Sequence, residues 1–541
     1  MNETMKGYIN GKIYTVDKDF RQAEAFLLKG DRFLLVGANE EILSQCGAGV
    51  EVIDLQGKTV LPGLIDSHLH VVNSGIMKLE LNVRNKSREE IKAAVAEAAG
   101  KTEKGRWIIG RGWNNDEWED RSYPTKEELD VVAPEHPVYL KRACGHASWG
   151  NSEAFRKAGI TENTPDPAGG EILRNPEGKI SGMVTDQAQE FFNKAIPPYD
   201  AEQHARIVKL AEEEFLANGL TTIHDAGTAQ EIVDVWDRLY AEGQLKVRIY
   251  VMLRVPGRPT TQELLEVSER YFQQGIRIGA HENRLTARCF KLSNDGSLGA
   301  RSAWMLEDYS DRPGHRGNGK LTDDELYRIV KNARKAGFQV AIHAIGDAAN
   351  RQSLNIYERV FHEIPGRDHR YRIEHAQIVS KEDIPRFAKL GVIPTFQSIF
   401  VATDKANADD RLGPERIKGA YAWRTFRKSG CILPNGTDSP VELMNPFINM
   451  YVGITRKDLH GNPAGGWYPE ESLTRQEAVQ SYTTWSAYAG FEEHLKGSIE
   501  RGKLADFVIL DTDIMTCAED VIKDIRVLET IIGGETVFKR P

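Results

Sequence analysis

Two histidines, His68 and His70, stand two positions apart at the end of the apolar run LPGLIDSHLH, shortly after Asp66. Successive side chains of a β-strand point to opposite faces, so these two imidazoles would share one face of a strand. Imidazoles placed in this way can supply half of a metal site. In a chain with 14 histidines a packed or surface pair has the same spacing, so the motif needs further ligands elsewhere. We expect Asp66 to support the histidines or cap the strand rather than to bind the metal.

The elements that must position these histidines are short apolar runs separated by helical patterns. Such runs are typical of parallel strands that crossover helices bury on both faces. Eight runs occur, which is the number that a closed (β/α)8 barrel needs. They read TVLPGLIDSHLH, LTTIHDAG, KVRIYVML, TARCFKLSNDG, FQVAIHAIG, YRIEHAQ, GVIPTFQ and CILPNGTDSP. We therefore predict an α/β fold, a (β/α)8 TIM barrel over residues 59–496.

Both ends of the chain have the pattern of short strands joined by turns. Asn10-Gly11 and Gly30-Asp31 occupy hairpin-turn positions near the start, and Gly533-Gly534 does so near the end. We predict a small β-sandwich domain that is built from both termini, residues 1–58 together with residues 497–541.

The connection after the first predicted barrel strand, residues 75–218, is far longer than a barrel loop. We predict an inserted subdomain within the barrel. The loop after a barrel strand opens on the catalytic face, so this insertion is expected to cover the active site. Trp113, Trp118 and Trp149 in the insertion, and Phe400 farther along, are candidates for an apolar pocket wall. Ordinary packing is the alternative for each of these aromatic residues.

The carboxyl ends of the eight runs would meet at one face of the barrel, and they carry groups that can bind a metal. Imidazole nitrogen and carboxylate oxygen suit a borderline divalent ion such as zinc. For His343 considered alone, the alternative to metal binding is a structural role. For Asp438 considered alone, the alternative is a turn aspartate within NGTDSP. Their common position at one ring of strand ends is what favours a metal site. The residues at these ends are His68, His70, His224, Lys291, His343, His375 and Asp438.

Motifs along nearly the whole chain resemble those of the amidohydrolase superfamily, within it the branch that includes N-substituted formamide deformylases. The motifs are LPGLIDSHLH, GHASWGNSEA, FKLSNDGSLGARSA, IHAIGDAA, RIEHAQ, NGTDSPVE and GSIERGKLADFVILD. The resemblance implies a metal-dependent hydrolase with one or two divalent ions, zinc being expected. It also implies cleavage of a carbon–nitrogen bond, a non-peptide amide, in a small-molecule substrate.

The resemblance assigns metal ligands residue by residue. His68 and His70 would bind the more buried ion, and His343 and His375 the second. Lys291 would be usable only as a carbamate, because an ammonium group has no lone pair for a metal. Its alternative is an uncarboxylated lysine that pairs with a carboxylate or a substrate group.

The mechanism that follows from this ligand set gives catalytic roles to three residues. Asp438 would reach the first metal and the attacking water, serving as general base and then as general acid. His224 or His146 would stabilise the oxyanion, with His146 also a candidate substrate contact in the CGHAS segment. For His146 the alternative is loop packing.

Two other functions stay open. A superfamily deaminase of a heterocyclic substrate would use a glutamate three residues after His343, but that position is Gly346 and the acid follows at Asp347. A non-catalytic barrel that serves as a regulatory or binding protein would be expected to have lost a metal ligand. Here every expected ligand position is filled.

The composition of the chain indicates which binding partners and which cellular compartment to expect. The net charge is −9 with charges scattered along the chain, which argues against a nucleic-acid partner. Five cysteines lie far apart without a C-x-x-C motif, so neither a disulfide framework nor a thiolate zinc site is indicated. Neither a signal peptide nor a membrane-spanning stretch is apparent. We expect a cytoplasmic protein with no membrane contact, and the resemblance implies a homodimer.

Overall fold

The computed structural model describes residues 5–47, 49–143, 145–257, 259–366 and 368–541. The chain divides into two compact units. One unit comprises Met1–Val72 with Ala211–Pro541, and the other comprises Asn73–Leu210. Cys144 lies outside the described residues, and the other four cysteines are free thiols.

The first unit contains the predicted parallel barrel, so the TIM-barrel prediction is confirmed. Its strands follow chain order around the sheet, and each pairs in parallel with the next. A short strand, Arg277–Gly279, pairs antiparallel with the fourth barrel strand. The seven barrel strands are Leu64–Leu69, Leu220–Thr228, Arg248–Leu253, Leu285–Ser293, Gln339–Ala344, Arg372–His375 and Ile393–Thr395.

The eighth barrel position is a single bridge rather than a strand. Asn435 forms a parallel bridge with Phe396 beyond the seventh strand. The Asn435 carbonyl also accepts a hydrogen bond from the backbone N–H of Ser67 in the first strand, at 3.1 Å. A Cβ atom on Gly436 would lie 2.6 Å from the backbone nitrogen of His68. Glycine therefore permits the close approach by which the barrel closes.

Helices connect the barrel strands in the predicted order. Two of them begin with capping boxes, in which the Thr260 side chain accepts a hydrogen bond from the backbone N–H of Glu263 and the Thr322 side chain accepts one from that of Glu325. The connecting helices are Gln230–Ala241, Thr261–Gln274, Asp323–Lys335, Asp347–Glu363, Ile384–Leu390 and Trp423–Lys428. Further helices are Phe400–Arg416, Pro446–Thr455, Arg475–Ser481 and Thr484–Ala489.

The terminal regions of the chain form two sheets of the first unit, one from N-terminal strands alone and one from strands of both termini. The four-stranded sheet consists of Arg32–Gly37, Ala25–Lys29, Met5–Ile9 and Glu51–Asp54. The six-stranded sheet consists of Glu535–Lys539, Val527–Ile532, Phe507–Leu510, Thr59–Pro62, Lys12–Tyr14 and Gln22–Ala23. The aromatic rings of Tyr8 and Phe26 from the first sheet contact Phe507 from the second, at 5.2 and 5.0 Å between centroids. The two sheets therefore share one apolar core.

Two of the three hairpin predictions are confirmed and one is wrong. Gly30-Asp31 and Gly533-Gly534 do join antiparallel neighbours, so these two predictions are confirmed. The prediction at Asn10-Gly11 is wrong, because the strands on its two sides belong to different sheets. Ile9 pairs with Asp54 in one sheet and Lys12 with Thr59 in the other. The dipeptide is thus where the chain crosses between the two sheets.

The predicted run TVLPGLIDSHLH is divided at Gly63. Thr59–Pro62 pairs antiparallel with Phe507–Leu510 in the six-stranded sheet, whereas Leu64–Leu69 is the first barrel strand. A Cβ atom on Gly63 would lie 2.3 Å from the hydroxyl oxygen of Thr221. This contact explains why the residue at the division is a glycine.

The second unit has its own six-stranded sheet. In spatial order its strands are Gly170–Arg174, Ile180–Asp186, Ala147–Gly150, Val138–Arg142, Ile108–Trp113 and Leu81–Asn82. Its helices include Arg88–Lys101, Lys126–Val132, Ser152–Lys157 and Glu190–Ala195. Trp113, Trp118 and Trp149 lie buried in the apolar core of this unit, so ordinary packing accounts for all three.

Candidate metal centre

A cavity of about 480 Å³ is lined by residues at the carboxyl ends of the barrel strands. Its volume falls within the range of small-molecule binding sites. The predicted aromatic wall residue Phe400 lines it, with its ring centroid 6.0 Å from that of His375. All six predicted metal ligands line this one cavity, namely His68, His70, Lys291, His343, His375 and Asp438.

Three of these residues form a compact buried cluster. One ligand atom from each of His68, His375 and Asp438 lies within 4.8 Å of the others. His70 joins them, since its Nε2 is 3.3 Å from Oδ1 of Asp438. Nε2 of His68 and Oδ1 of Asp438 lie 3.5 Å apart, and among the described residues neither atom forms a well-directed hydrogen bond. Buried imidazole nitrogen and carboxylate oxygen left without partners fit a divalent cation such as zinc.

His343 and Lys291 complete the ring of predicted ligands. The rings of His343 and His375 lie 4.5 Å apart, and Nε2 of His343 is 3.2 Å from the carbonyl oxygen of Gly296. Lys291 is buried, and its Nζ donates to the carbonyl of Ala226 at 3.4 Å. Burial lowers the pKa of Lys291 to about 8. A larger fraction of this amine is therefore neutral at pH 7 than for an exposed lysine.

Glu374 and Arg372 are functional candidates that the sequence reasoning missed. Nδ1 of His68 donates a hydrogen bond to the Glu374 carboxylate. Arg372 donates to the same carboxylate, from Nε at 2.7 Å and from Nη2 at 3.1 Å. A carboxylate on one ring nitrogen fixes the histidine tautomer and leaves the other nitrogen for a metal. The alternation within RIEH was the available signal, because it places these two residues on one face of the strand.

Gln397 positions a second histidine in a similar way. Its side-chain carbonyl oxygen lies 2.7 Å from Nδ1 of His375 and accepts a hydrogen bond from that nitrogen. Burial lowers the pKa of His375 to about 3, which keeps the imidazole neutral. A neutral imidazole with its Nδ1 proton engaged presents Nε2 as a ligand.

The charge state of Asp438 is set by its neighbours. Burial raises its pKa, but the imidazoles of His70, His68 and His375 outweigh that effect and bring the pKa well below its usual range. The carboxylate is consequently ionised at neutral pH. On the cavity wall, burial raises the pKa of Glu442 to about 7.

Asp66 has the supporting role that was expected of it. Its carboxylate accepts hydrogen bonds from the backbone N–H of His68 at 3.0 Å and from the hydroxyl of Thr437 at 2.7 Å. It also accepts from the backbone N–H of Thr437 at 3.1 Å. Asp66 thereby ties the first strand to the segment that carries Asp438.

The other two predicted catalytic histidines lie elsewhere. His224 is fully buried, with Nδ1 3.0 Å from Nη1 of Arg372, and it is not among the residues that line the cavity. His146 belongs to the second unit, where its side chain is 79% exposed and Nδ1 is 2.9 Å from Oδ1 of Asp186. The oxyanion role of either residue stays a prediction.

The sequence model described as the amidohydrolase family matches residues 51–538. The chain belongs to the amidohydrolase family. This amidohydrolase is 32% identical over 538 residues to the putative amidohydrolase YtcJ of Bacillus subtilis (strain 168), and the alignment covers 98% of each chain. It is 27% identical over 549 residues to N-substituted formamide deformylase of Arthrobacter pascens, again with 98% of each chain covered.

A solved structure agrees with this membership. The crystal structure of an uncharacterized metal-dependent hydrolase from Pyrococcus furiosus matches with a TM-score of 0.79 and 29% sequence identity. The match covers 95% of this amidohydrolase and 100% of that chain. The family resemblance drawn from the motifs is confirmed, and the protein is a metal-dependent hydrolase by family.

Proposed function

We propose that this amidohydrolase cleaves the carbon–nitrogen bond of a small-molecule, non-peptide amide with zinc as its cofactor. The observation that carries the proposal is the buried cluster of His68, His375 and Asp438, whose ligand atoms lie within 4.8 Å of one another. The relative named N-substituted formamide deformylase supports an N-formyl or other N-acyl amine as the substrate.

One or two zinc ions would be held by the residues that line the cavity. His68 and His70 would hold the first ion together with Asp438, and His343 and His375 the second. When bound, a zinc ion lowers the pKa of water towards ~7 and polarises a substrate carbonyl. His68 and His375 each form a hydrogen bond through Nδ1, which leaves Nε2 of each imidazole oriented to bind zinc.

Lys291 would join the two ion sites as a carbamate. The neutral amine attacks carbon dioxide, an N–C bond forms, and one proton is released, which leaves an anionic oxygen ligand. Two features of the structure support this proposal. Lys291 is buried, and within the described ranges its Nζ forms no ion pair with a carboxylate.

Asp438 would handle the proton of the reaction. Its Oδ1, which has no hydrogen-bond partner among the described residues, would take a proton from the attacking water. It would then give the proton to the leaving nitrogen as the carbon–nitrogen bond breaks. The three neighbouring imidazoles lower the pKa of this carboxylate, so it is ionised at neutral pH, as a group that accepts a proton must be.

His146 and His224 are the two proposed donors to the oxyanion. Loss of one oxyanion donor lowers kcat about 10²- to 10³-fold in well-studied enzymes. We therefore expect a loss of that size, with KM little changed, from only one of the variants His146→Ala and His224→Ala. If both variants changed kcat only slightly, neither His146 nor His224 would be a donor to the oxyanion.

Neither alternative function is favoured by the site. A deaminase would need a glutamate at Gly346, but a Cβ atom there would lie 2.0 Å from the carbonyl oxygen of Trp304. The acid at Asp347 instead accepts a hydrogen bond from the backbone N–H of Leu306 at 2.8 Å. A regulatory barrel without catalysis is disfavoured because all six predicted ligands line one cavity.

The test of the proposed function is turnover of amides by zinc-loaded protein. A panel of N-substituted formamides and longer N-acyl amines is incubated with the protein, and the released amine and acid are quantified. We expect both products in equal amounts, with the rate reduced about 10²- to 10⁴-fold in Asp438→Asn. Release of ammonia from heterocycles, with no hydrolysis of any amide, would contradict the proposal.

We also propose that the protein is a cytoplasmic homodimer that binds neither nucleic acid nor membrane. Within the described ranges, no helix is long and apolar enough to cross a bilayer. Sedimentation velocity of the purified protein tests the dimer, and fractionation of the source cells tests the compartment.

A further inference from the structure

Arg254 is a cation on the wall of the metal cavity that the proposed reaction does not use. It directly follows the third barrel strand, Arg248–Leu253, and its backbone N–H donates to the carbonyl of Thr228 at 2.8 Å. The side-chain stem passes over Gly227, where an added Cβ atom would lie 2.9 Å from Cδ of Arg254. The ends of two neighbouring strands therefore fix the direction of this side chain.

The guanidinium of Arg254 has no ion-pair or hydrogen-bond partner among the residues that the structure describes. Two arginines within the barrel strands do have carboxylate partners, Arg248 with Asp506 and Arg372 with Glu374, each pair at 2.7 Å. A guanidinium offers five N–H donors in a planar fork. On the wall of a cavity these donors are free to bind a ligand.

Three carboxyl groups line the same cavity, and in the part of the chain that the structure describes none of them forms an ion pair with Arg254. The carboxyl group of Glu442 has a hydrogen bond with the side chain of Thr403. Asp438 faces the imidazole of His70 at 3.3 Å. Asp404 accepts hydrogen bonds from Gln377 and from the Tyr421 hydroxyl, both at 2.8 Å. The positive charge is thus left for a group that enters the cavity.

We propose that Arg254 binds a carboxylate of the substrate, so that the amide cleaved at the metal centre is anionic. This inference rests on the proposed function and names its substrate class. The planar fork of arginine matches a carboxylate in a bidentate geometry, which gives orientation as well as attraction. Apolar side chains form much of the remaining wall, so the substrate is an N-acyl amine with a carboxylate and an apolar group. These apolar wall residues are Leu298, Ile345, Phe400 and Val441.

The test compares two amides that differ only in the carboxylate, N-formylphenylalanine and N-formyl-2-phenylethylamine. The ratio of their kcat/KM values is measured with zinc-loaded enzyme. We expect wild type to prefer the acid, and Arg254→Gln to lower the ratio about 10- to 100-fold. Arg254→Lys keeps the charge but loses the fork, so its ratio should fall between the two. Arg359→Gln is the matched control, because Arg359 is an exposed helix residue, and it should keep the wild-type ratio.

An unchanged ratio in Arg254→Gln would overturn the proposal. If the ratio is unchanged because kcat/KM falls equally for both amides, Arg254 acts on the Lys291 carbamate instead. A binding measurement tests the carboxylate site even if the enzyme does not hydrolyse amides. If zinc-loaded enzyme cleaves neither amide, calorimetry compares binding of 3-phenylpropionate with binding of 3-phenylpropanol. Preference for the acid that Arg254→Gln abolishes supports the carboxylate site even then. Equal binding of the acid and the alcohol by wild type overturns it.

Discussion

Glu374 accepts a hydrogen bond from Nδ1 of His68 deep inside the barrel, and Arg372 donates to the same carboxylate at 2.7 Å. All three side chains are fully buried. Because a carboxylate can only accept, the proton of His68 stays on Nδ1. The partnerless Nε2 is thereby left for a metal, and the guanidinium balances the buried charge of Glu374.

Glu374→Gln keeps the shape of the side chain but leaves Arg372 without a counter-ion. We expect zinc affinity to fall about 10- to 100-fold, as measured by chelator competition. The free energy of unfolding of the zinc-free protein should fall by about 3–5 kcal/mol in urea titrations, because a buried charge has lost its partner.

The matched control for this variant is Glu493→Gln, since Glu493 pairs with Arg370 and does not line the metal cavity. We expect its zinc affinity to equal that of wild type. If Glu374→Gln also bound zinc as tightly as wild type, the orienting role of Glu374 would be wrong.

Gly436→Ala tests how the barrel closes around the site. Its new Cβ atom would lie 2.6 Å from the backbone nitrogen of His68, so the two segments must move apart. We expect the free energy of unfolding to fall by about 1–3 kcal/mol, together with a lower zinc affinity. Gly465→Ala is the control, because nothing lies within 4 Å of the added atom. Equal unfolding curves for the two variants would show that the closure tolerates a side chain.

The buried pair of Arg248 and Asp506 gives a pH-dependent prediction. Burial raises the pKa of Asp506, but the charge and hydrogen bonds of Arg248 outweigh it and hold the pKa below its usual value. A folded-state pKa below the unfolded value of about 3.9 means that the stabilisation is full above pH ~5. It is lost as the pH falls through the folded-state pKa.

Asp506→Asn should therefore be less stable than wild type by about 3–5 kcal/mol at pH 7, and the difference should shrink below pH ~4. Urea unfolding from pH 3 to pH 7 measures both quantities. Glu415→Gln removes a pair between exposed side chains, Glu415 and Lys418, and should show no such trend. A difference for Asp506→Asn that is constant over this pH range would refute the linkage.

The barrel could be predicted because its strands are buried on both faces and therefore appear as apolar runs. The structure differs from the prediction where tertiary contacts override a local sequence pattern. Asn10-Gly11 has hairpin chemistry, yet the strands beside it join different sheets. The eighth run closes the barrel through a single bridge at Asn435. The pattern of apolar residues in the sequence does not distinguish such a bridge from a strand.

That the six predicted ligands would lie together could be predicted, because each stands at the end of an apolar run and all six line one cavity. Their supporting residues could not be predicted with the same ease. Gln397 and Glu374 act through hydrogen bonds to histidines that are distant in sequence, His375 and His68. Such partners become evident only once the strands are arranged around the barrel.

The number of zinc ions bound per chain is the most direct measure of the proposed metal centre. Protein is loaded with zinc, passed through a gel-filtration column and measured by elemental analysis, beside the double variant of His68→Asn and His375→Asn. We expect between about one and two zinc ions per wild-type chain, and none in the double variant when circular dichroism shows it to be folded. Wild-type protein without zinc, or a folded double variant that holds as much zinc as wild type, would show that these histidines do not form a zinc site.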